Sequence, residues 1–320
     1  MYFNRPSAVK KVLIDAEHLI RLRGIPSKKS YRLRVLHHMY THLRVIMEST
    51  DVSSSFGTLP VEAPEAYSSN NNMAIAPMSK FRIAEASLGE LDSDRDKPDD
   101  IGYNDIHLEV SGNWQLTMYP EMYGIPETLM TLHAQTIGLV NEKSKLELAA
   151  LSDPSVALAL KRHIKTLEQQ IWTWKQAVLM GPERPPSDLP GVDDPPAPDF
   201  NPLALAIQQA LIIYFYRRVY NMSALIMQEE VRKTLEYMQP YLDIRKFDQD
   251  FAITIGWALF LAACEAATPE LQKRSMECLE VIDHCGIFVE TSKPSTIAKA
   301  VWQRREQLGD LSFSWPDLMV

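Results

Sequence analysis

With 320 residues, a formal net charge of −8, 46% hydrophobic residues and 23% charged ones, the chain has a globular make-up, with room for one large core or two modest ones. Its three cysteines form no CxxC pair and no even framework, which excludes a disulfide scaffold and points to a reducing compartment. The 21 prolines against 12 glycines point to helices punctuated by proline and at least one stiff linker.

The first predicted element, residues 7–24 (SAVKKVLIDAEHLIRLRG), is an amphipathic helix. Ser7 is placed to cap it and Gly24 to end it, and Val9, Val12, Leu13, Ala16, Leu19 and Ile20 recur at helical spacing. Its scattered charges leave no apolar run of the kind a secretory leader needs. A second helix over roughly 30–49 is expected to bury Leu36, Met39, Tyr40, Leu43, Ile46 and Met47. Residues 1–49 carry ten Lys or Arg against three acids, so the remainder is more acidic than the total suggests. Such a basic segment meets either nucleic acid or an acidic surface, and EASLGELDSDRDKPDD (85–100) is a candidate partner within the chain. A basic helical hairpin is too common a pattern to indicate a DNA reader, and direct DNA binding is not expected.

Residues 51–105 read as a flexible, partly acidic loop, and the stretch up to Pro126 as extended or irregular. A helix then starts near Pro126. Another covers about 154–178, with Leu158, Ile164, Leu167, Ile171 and Trp174 on one face. Seven prolines within 181–200 make that segment a linker or surface strap. Helices resume with Asn201 as cap and Pro202 at the first position, and follow at roughly 223–240, 247–266, 268–285 and 295–308. Thr268 and Pro269 repeat the cap-then-proline start, while Gly286 and Gly309 are stops. The expected fold is all-α, an irregular multi-helix bundle with long loops. Its N-terminal half is 1–180 and its C-terminal half 201–320, together forming one domain. The apolar run Phe251–Cys264 spans 14 residues, short of the roughly 20 a membrane span needs, so it reads as a core helix.

Signatures of phosphate-binding loops, dinucleotide folds and nucleophile elbows are absent from the sequence. His38 and His42, four apart on a helix, could face one metal, but no HExxH pattern or third ligand accompanies them. They read as hydrogen-bonded histidines on a helix flank. Cys264 beside Glu265, with His284 and Cys285 later, is a candidate nucleophile setting; burial at the end of an apolar run raises a thiol pKa and argues against it. Cys278 and Cys285 are two helical turns apart, too far for a disulfide. Glu265 is the most informative residue. A carboxylate ending an apolar helix is costly to bury unless paired, and Arg217 or Arg218 is its expected partner. The alternative is a pocket carboxylate that recognises a cationic or amino-acid ligand, on a helical small-molecule-binding protein or enzyme using Glu265, Arg217, His38 and His42.

The stretches ALIIYFYRRVYNMSALIMQEEVRKTLEYM and WALFLAACEAATPELQKRSMECLEVI resemble the C-terminal regulatory domain of fungal zinc-cluster transcription factors. The likeness is to the branch that includes regulators of arginine metabolism. Trp257, Leu259–Phe260 and Ala263–Cys264–Glu265–Ala266 carry it, with an aromatic, arginine-bearing helix from Tyr214 to Arg218 about 40 residues upstream. RLRVLHHMYTHLRVIMEST (32–50) and the segment 103–142 agree, so the resemblance covers nearly the whole chain. It implies an all-helical, nuclear, non-enzymatic regulator that binds the transcription machinery or a DNA-binding factor, receives a small-molecule effector, or pairs as a homodimer. Tyr214, Arg217, Arg218, Trp257, Cys264 and Glu265 are then signature residues. The family's zinc belongs to a six-cysteine module, which three cysteines cannot build, so no cofactor is expected here.

Overall fold

The computed structural model describes residues 8–26, 28–50, 83, 95–179, 201–242, 252–283 and 293–319. Among them are eleven α-helices and no strand beyond one bridge between Asp96 and Asn113. The helices are α1 (Ala8–Arg23), α2 (Tyr31–Thr50), α3 (Asp99–Asn104), α4 (Tyr119–Tyr123), α5 (Glu127–Ala150) and α6 (Pro154–Leu179). They continue with α7 (Pro202–Val219), α8 (Gln228–Met238), α9 (Ala252–Glu265), α10 (Pro269–Asp283) and α11 (Pro294–Leu308). The expected Ser7 cap, most of the expected loop 51–105 (51–82 and 84–94, with most of the acidic stretch 85–100), the proline-rich segment 181–200, His284, Cys285 and Gly286 lie outside the described residues.

Helix α9 is the centre of the fold. Every residue from Thr254 to Ala266 is buried, and α2, α7, α8, α10 and α11 all pack on it. An all-apolar helix is stable in water only when neighbours surround it, which the 14-residue α9 achieves. Helix α7 lies beside it and is capped as its sequence requires: the Asn201 side chain accepts from the Ala204 N–H, and Pro202 fills the first turn. Helices α5 and α6 pack on each other and on α7, so one apolar cluster runs from Val45 and Leu129 to Trp257 and Trp315. At α1 and α11, Gly24 and Gly309 end the helices at φ 67° and 63°.

Helix α2 departs from its expected orientation. Leu36 and Met39 are exposed, while His37, His38, Thr41, His42, Arg44 and Ser49 are buried with Tyr40, Val45 and Ile46. The polar face turns inward because most of its groups find partners there, His37 Nδ1 and His42 Nδ1 excepted. His38 Nδ1 donates to the Arg34 carbonyl and its Nε2 accepts from the Met118 N–H, at 2.9 and 3.1 Å. Thr41 donates to the Ile106 carbonyl. Arg44 pairs with Glu48 at 2.9 Å and Glu17 at 3.6 Å. On α1, Val12 and Leu19 are exposed while Leu13 is buried; on α6, Leu158 is exposed while Leu160 and His163 are buried.

The segment expected to be extended instead holds the short helices α3 and α4. It is fixed by Lys97, buried between Asp105 at 3.0 Å and Glu127 at 2.8 Å. Trp114 closes over α3 and donates to Asp99 at 3.1 Å. It does so because Gly102 has no side chain: a Cβ there would collide with the indole ring. Gly102→Ala is therefore expected to push Trp114 out of place and cost about 1–3 kcal/mol, seen as a lower urea midpoint with altered tryptophan fluorescence.

Candidate functional site

The last carbonyls of a helix have no partner within it and need donors from outside. At the end of α9 water is excluded, so side chains supply them. Trp302 Nε1 donates to the Ala263 carbonyl at 2.9 Å, Arg305 Nη1 to Cys264 at 2.7 Å and Gln228 Nε2 to Glu265 at 2.9 Å. Gln228 also accepts from the Ala267 N–H at 2.9 Å, so one amide closes both sides of the chain as it leaves the helix.

Into this end projects the Glu265 carboxylate, at 0% exposure. Its Oε2 pairs with Arg217 Nε at 2.9 Å and receives Arg305 Nη2 at 2.6 Å, while Oε1 accepts from the Ser314 hydroxyl at 2.9 Å. Two guanidiniums surround one carboxylate, and the helix's carbonyl end supplies further negative potential. Backbone oxygens take the remaining donors. Arg217 reaches the Met222, Ser312 and Phe313 carbonyls, and Arg305 Nε reaches Phe313 at 2.7 Å. Residues from α7, α9, α11 and the segment 310–314 thus meet in one buried ionic knot.

Sequence reasoning expected Arg217 or Arg218 beside Glu265. The structure brings Arg217 there, while Arg218 is half-buried on the flank of the helix. Arg305 and Ser314 were missed. Arg305 was legible: with Ala298 and Val301 it lies at i, i+3, i+7 on the buried stripe of α11, so it is a cation on an apolar face. Ser314 lies in irregular backbone after α11 and left no periodic signal.

Tyr214 and Trp257 belong to an adjoining aromatic layer. His133 on α5, fully buried, lies 4.1 Å from Trp257 and 6.0 Å from Tyr214 between ring centroids. His42 stacks on Tyr123 at 3.8 Å and shares a 3.0 Å hydrogen bond with Thr254. Trp257 Nε1 donates to Ser49 at 2.8 Å. His38 and His42 therefore bind different partners and do not converge. Cys264 is fully buried and its thiol is pushed well above its ordinary range, by burial first and by Glu265 second. Cys278 is pushed up to about 11, again chiefly by burial. Glu265 is closed off from solvent, ion-paired to Arg217 and hydrogen-bonded to Arg305 and Ser314, so in this structure it faces an interior knot and not an open pocket.

A model of the fungal-specific transcription factor domain matches residues 3–320. The chain belongs to that family. No curated protein and no solved structure matches it. Most of the residues that the sequence resemblance singled out fall into two adjoining groups in the structure. Glu265 and Arg217 form the knot; Tyr214 and Trp257 form the layer beside it, with Cys264 lending its carbonyl to Arg305. Among the described residues, no helix is long and apolar enough to cross a membrane.

Two outcomes follow from this geometry. Glu265→Gln leaves two buried guanidiniums facing a neutral amide and should lower stability by about 3–5 kcal/mol, measured by urea denaturation. The second concerns pH. Burial holds His42 and His133 near pKa 3, against 6.5 when free; the proximity of His42 adds to the shift at His133. Between those values the unfolded chain binds protons that the native chain refuses, so stability is complete above pH 6.5 and falls as pH drops. At pH 5 each histidine accounts for a loss of roughly 2 kcal/mol. His37, His38 and His163 shift in the same direction and steepen the slope. Urea midpoints between pH 7.5 and 5 measure the slope, and His133→Leu should reduce it.

Proposed function

We propose that this chain regulates transcription from the nucleus as a non-catalytic helical domain. It acts by binding protein partners or a small effector, with target selection left to a DNA-binding factor. The match to the fungal-specific transcription factor domain over residues 3–320 carries this reading. The interior chemistry supports it: Glu265, Arg217, His38 and His42, the polar groups best placed for another role, are engaged in holding helices together. A six-thiolate zinc module needs twice the three cysteines present, and Cys264 and Cys278 are buried apart from each other on different helices. We assign no zinc to this chain, and treat residues 1–320 as one regulatory domain.

The chain fused to an unrelated DNA-binding domain should change transcription of a matched reporter severalfold relative to that DNA-binding domain alone. The sign of the change tells activator from repressor. A fusion that accumulates, enters the nucleus and leaves transcription unchanged would overturn the proposal.

A further inference from the structure

We propose that the turn end of the α1–α2 hairpin is a docking surface for an acidic amphipathic helix of a partner protein, a reading that rests on the partner-binding role above. Leu19, Leu22, Ile25, Tyr31 and Leu36 cluster in sequence around this turn, each between 39% and 68% exposed. Scattered exposed leucines need no explanation, but five large apolar side chains within 18 residues of one hairpin do. Val12 extends the row along α1, spaced seven residues before Leu19 and ten before Leu22, so three apolar side chains share one solvent-facing stripe. A different stripe of α1 is already in use: Leu13 is buried and Ala16 and Ile20 are partly buried in a small cluster with Tyr40 and Ile106.

The charge around this surface selects the occupant. Lys11, Arg23, Lys28 and Arg32 are exposed, and Asp15 is the exposed acid on the described part of the hairpin. The other two acids, Glu17 and Glu48, are turned inward and pair with buried Arg44. Beneath the turn, Lys29 donates to the Tyr103 carbonyl and Arg34 lies over the Tyr103 and Trp114 rings, 5.6 and 5.5 Å from their centroids. Desolvation first and Arg34 second pull Lys29 down to about 8, while Asp105 opposes them. His37 beside them is buried, and its Nδ1 has no hydrogen-bond partner. A carboxylate arriving here would relieve that repulsion, and the exposed leucines would bury against the apolar face that carries it.

Other occupants fit less well. Phosphate contacts of nucleic acid would satisfy the cations but leave the apolar side chains without partners. A lipid surface favours one continuous apolar face on one helix, whereas these side chains are divided between two helices and their turn. A symmetric second copy would set Lys11, Arg23, Lys28 and Arg32 against their own kind.

The test uses the full chain and a fluorescent acidic peptide of about 20 residues, with leucines at helical spacing and Asp or Glu elsewhere. A scrambled peptide of equal composition, phosphatidylserine-containing vesicles and a short DNA duplex are the comparators. The ordered peptide should bind at least about tenfold more tightly than the scrambled one, and more weakly as salt rises. Leu22→Ser/Leu36→Ser and Arg23→Glu/Arg32→Glu should each weaken binding by about tenfold or more with the thermal midpoint unchanged, since the replaced side chains are exposed. Absence of peptide binding, equal binding of the scrambled peptide, indifference to both double variants, or preference for vesicles or DNA would each overturn the inference. So would dimerisation that the leucine variant abolishes. The reporter experiment is independent of these results, so a failed docking surface leaves the regulatory reading standing.

Discussion

The carbonyl end of α9 has to find its hydrogen bonds inside the protein, and the arrangement of the C-terminal helices answers that requirement. A helix surrounded by α2, α7, α8, α10 and α11 cannot hand its last carbonyls to water. Trp302 and Arg305 arrive from α11 and Gln228 from α8, each as a side-chain donor at a backbone oxygen. Glu265 raises the demand for positive charge, and Arg217 joins from α7. Once the two guanidiniums are buried, their spare N–H groups need acceptors as well. The Ser312 and Phe313 carbonyls provide them, which is why the chain beyond α11 folds back over this end. Trp315 then fills the space between Tyr214 and Phe260. The fixed position of the last segment thus follows from the desolvation of one carboxylate.

The other half of α9 meets a milder version of the same constraint. Thr254 and Trp257 carry polar atoms in a dry interior, and α2 supplies their partners through His42 and Ser49. This explains why α2 presents a polar face to the core while Leu36 and Met39 point outward. Hydrogen bonds outweigh hydrophobic matching there because each unsatisfied buried group costs about 1–3 kcal/mol, comparable to burying a leucine. His133, between Trp257 and Tyr214, has no hydrogen bond at either ring nitrogen, and its partners are aromatic faces. It stays neutral through burial, and pH therefore acts on the same layer that joins α5 to α7 and α9.

Much of this was legible in the sequence where one physical signal dominated. Composition and period gave the helices: the 14-residue apolar run could only be a core helix, Asn201–Pro202 marked a start, and Gly309 marked a stop. The requirement of a buried carboxylate for a cation pointed from Glu265 to the arginine pair of α7. Which of the two adjacent arginines would serve was decided by rotation: Arg217 falls on the buried face of α7 and Arg218 on its flank. The reading failed where polar residues packed inward. For α2 the apolar count pointed to Leu36 and Met39 as well as to Tyr40, Leu43, Ile46 and Met47, which do pack inward, because hydrophobic pattern carries no information about partners such as Met118 N–H and Ile106 O, contributed 65 or more residues away. The stretch from Asp99 to Tyr123 looked extended for a related reason. Its two short helices are held by Lys97, Trp114 and tertiary bonds, and neither is long enough to leave a periodic trace.

The same partnering logic separates the two ends of the molecule's chemistry. Around α9, each buried charge has opposite charge or carbonyl oxygens within bonding distance, so little of that field reaches solvent. Glu17 and Glu48 are neutralised inside the hairpin by Arg44, and this internal pairing removes acid from the surface that α1 and α2 present. Among the described residues of the hairpin, Asp15 is the one acid exposed beside the outward cations, and these stand among exposed apolar side chains such as Leu19, Leu22 and Leu36. A chain selected only for stability would gain by replacing those leucines with polar residues, since exposed apolar clusters promote association without adding to the core. Their position at the far end of the hairpin from the α9 knot means that a partner bound there would leave the ionic interior intact. The interior holds the helices in place, and the hairpin's turn sets exposed cations beside unburied apolar side chains.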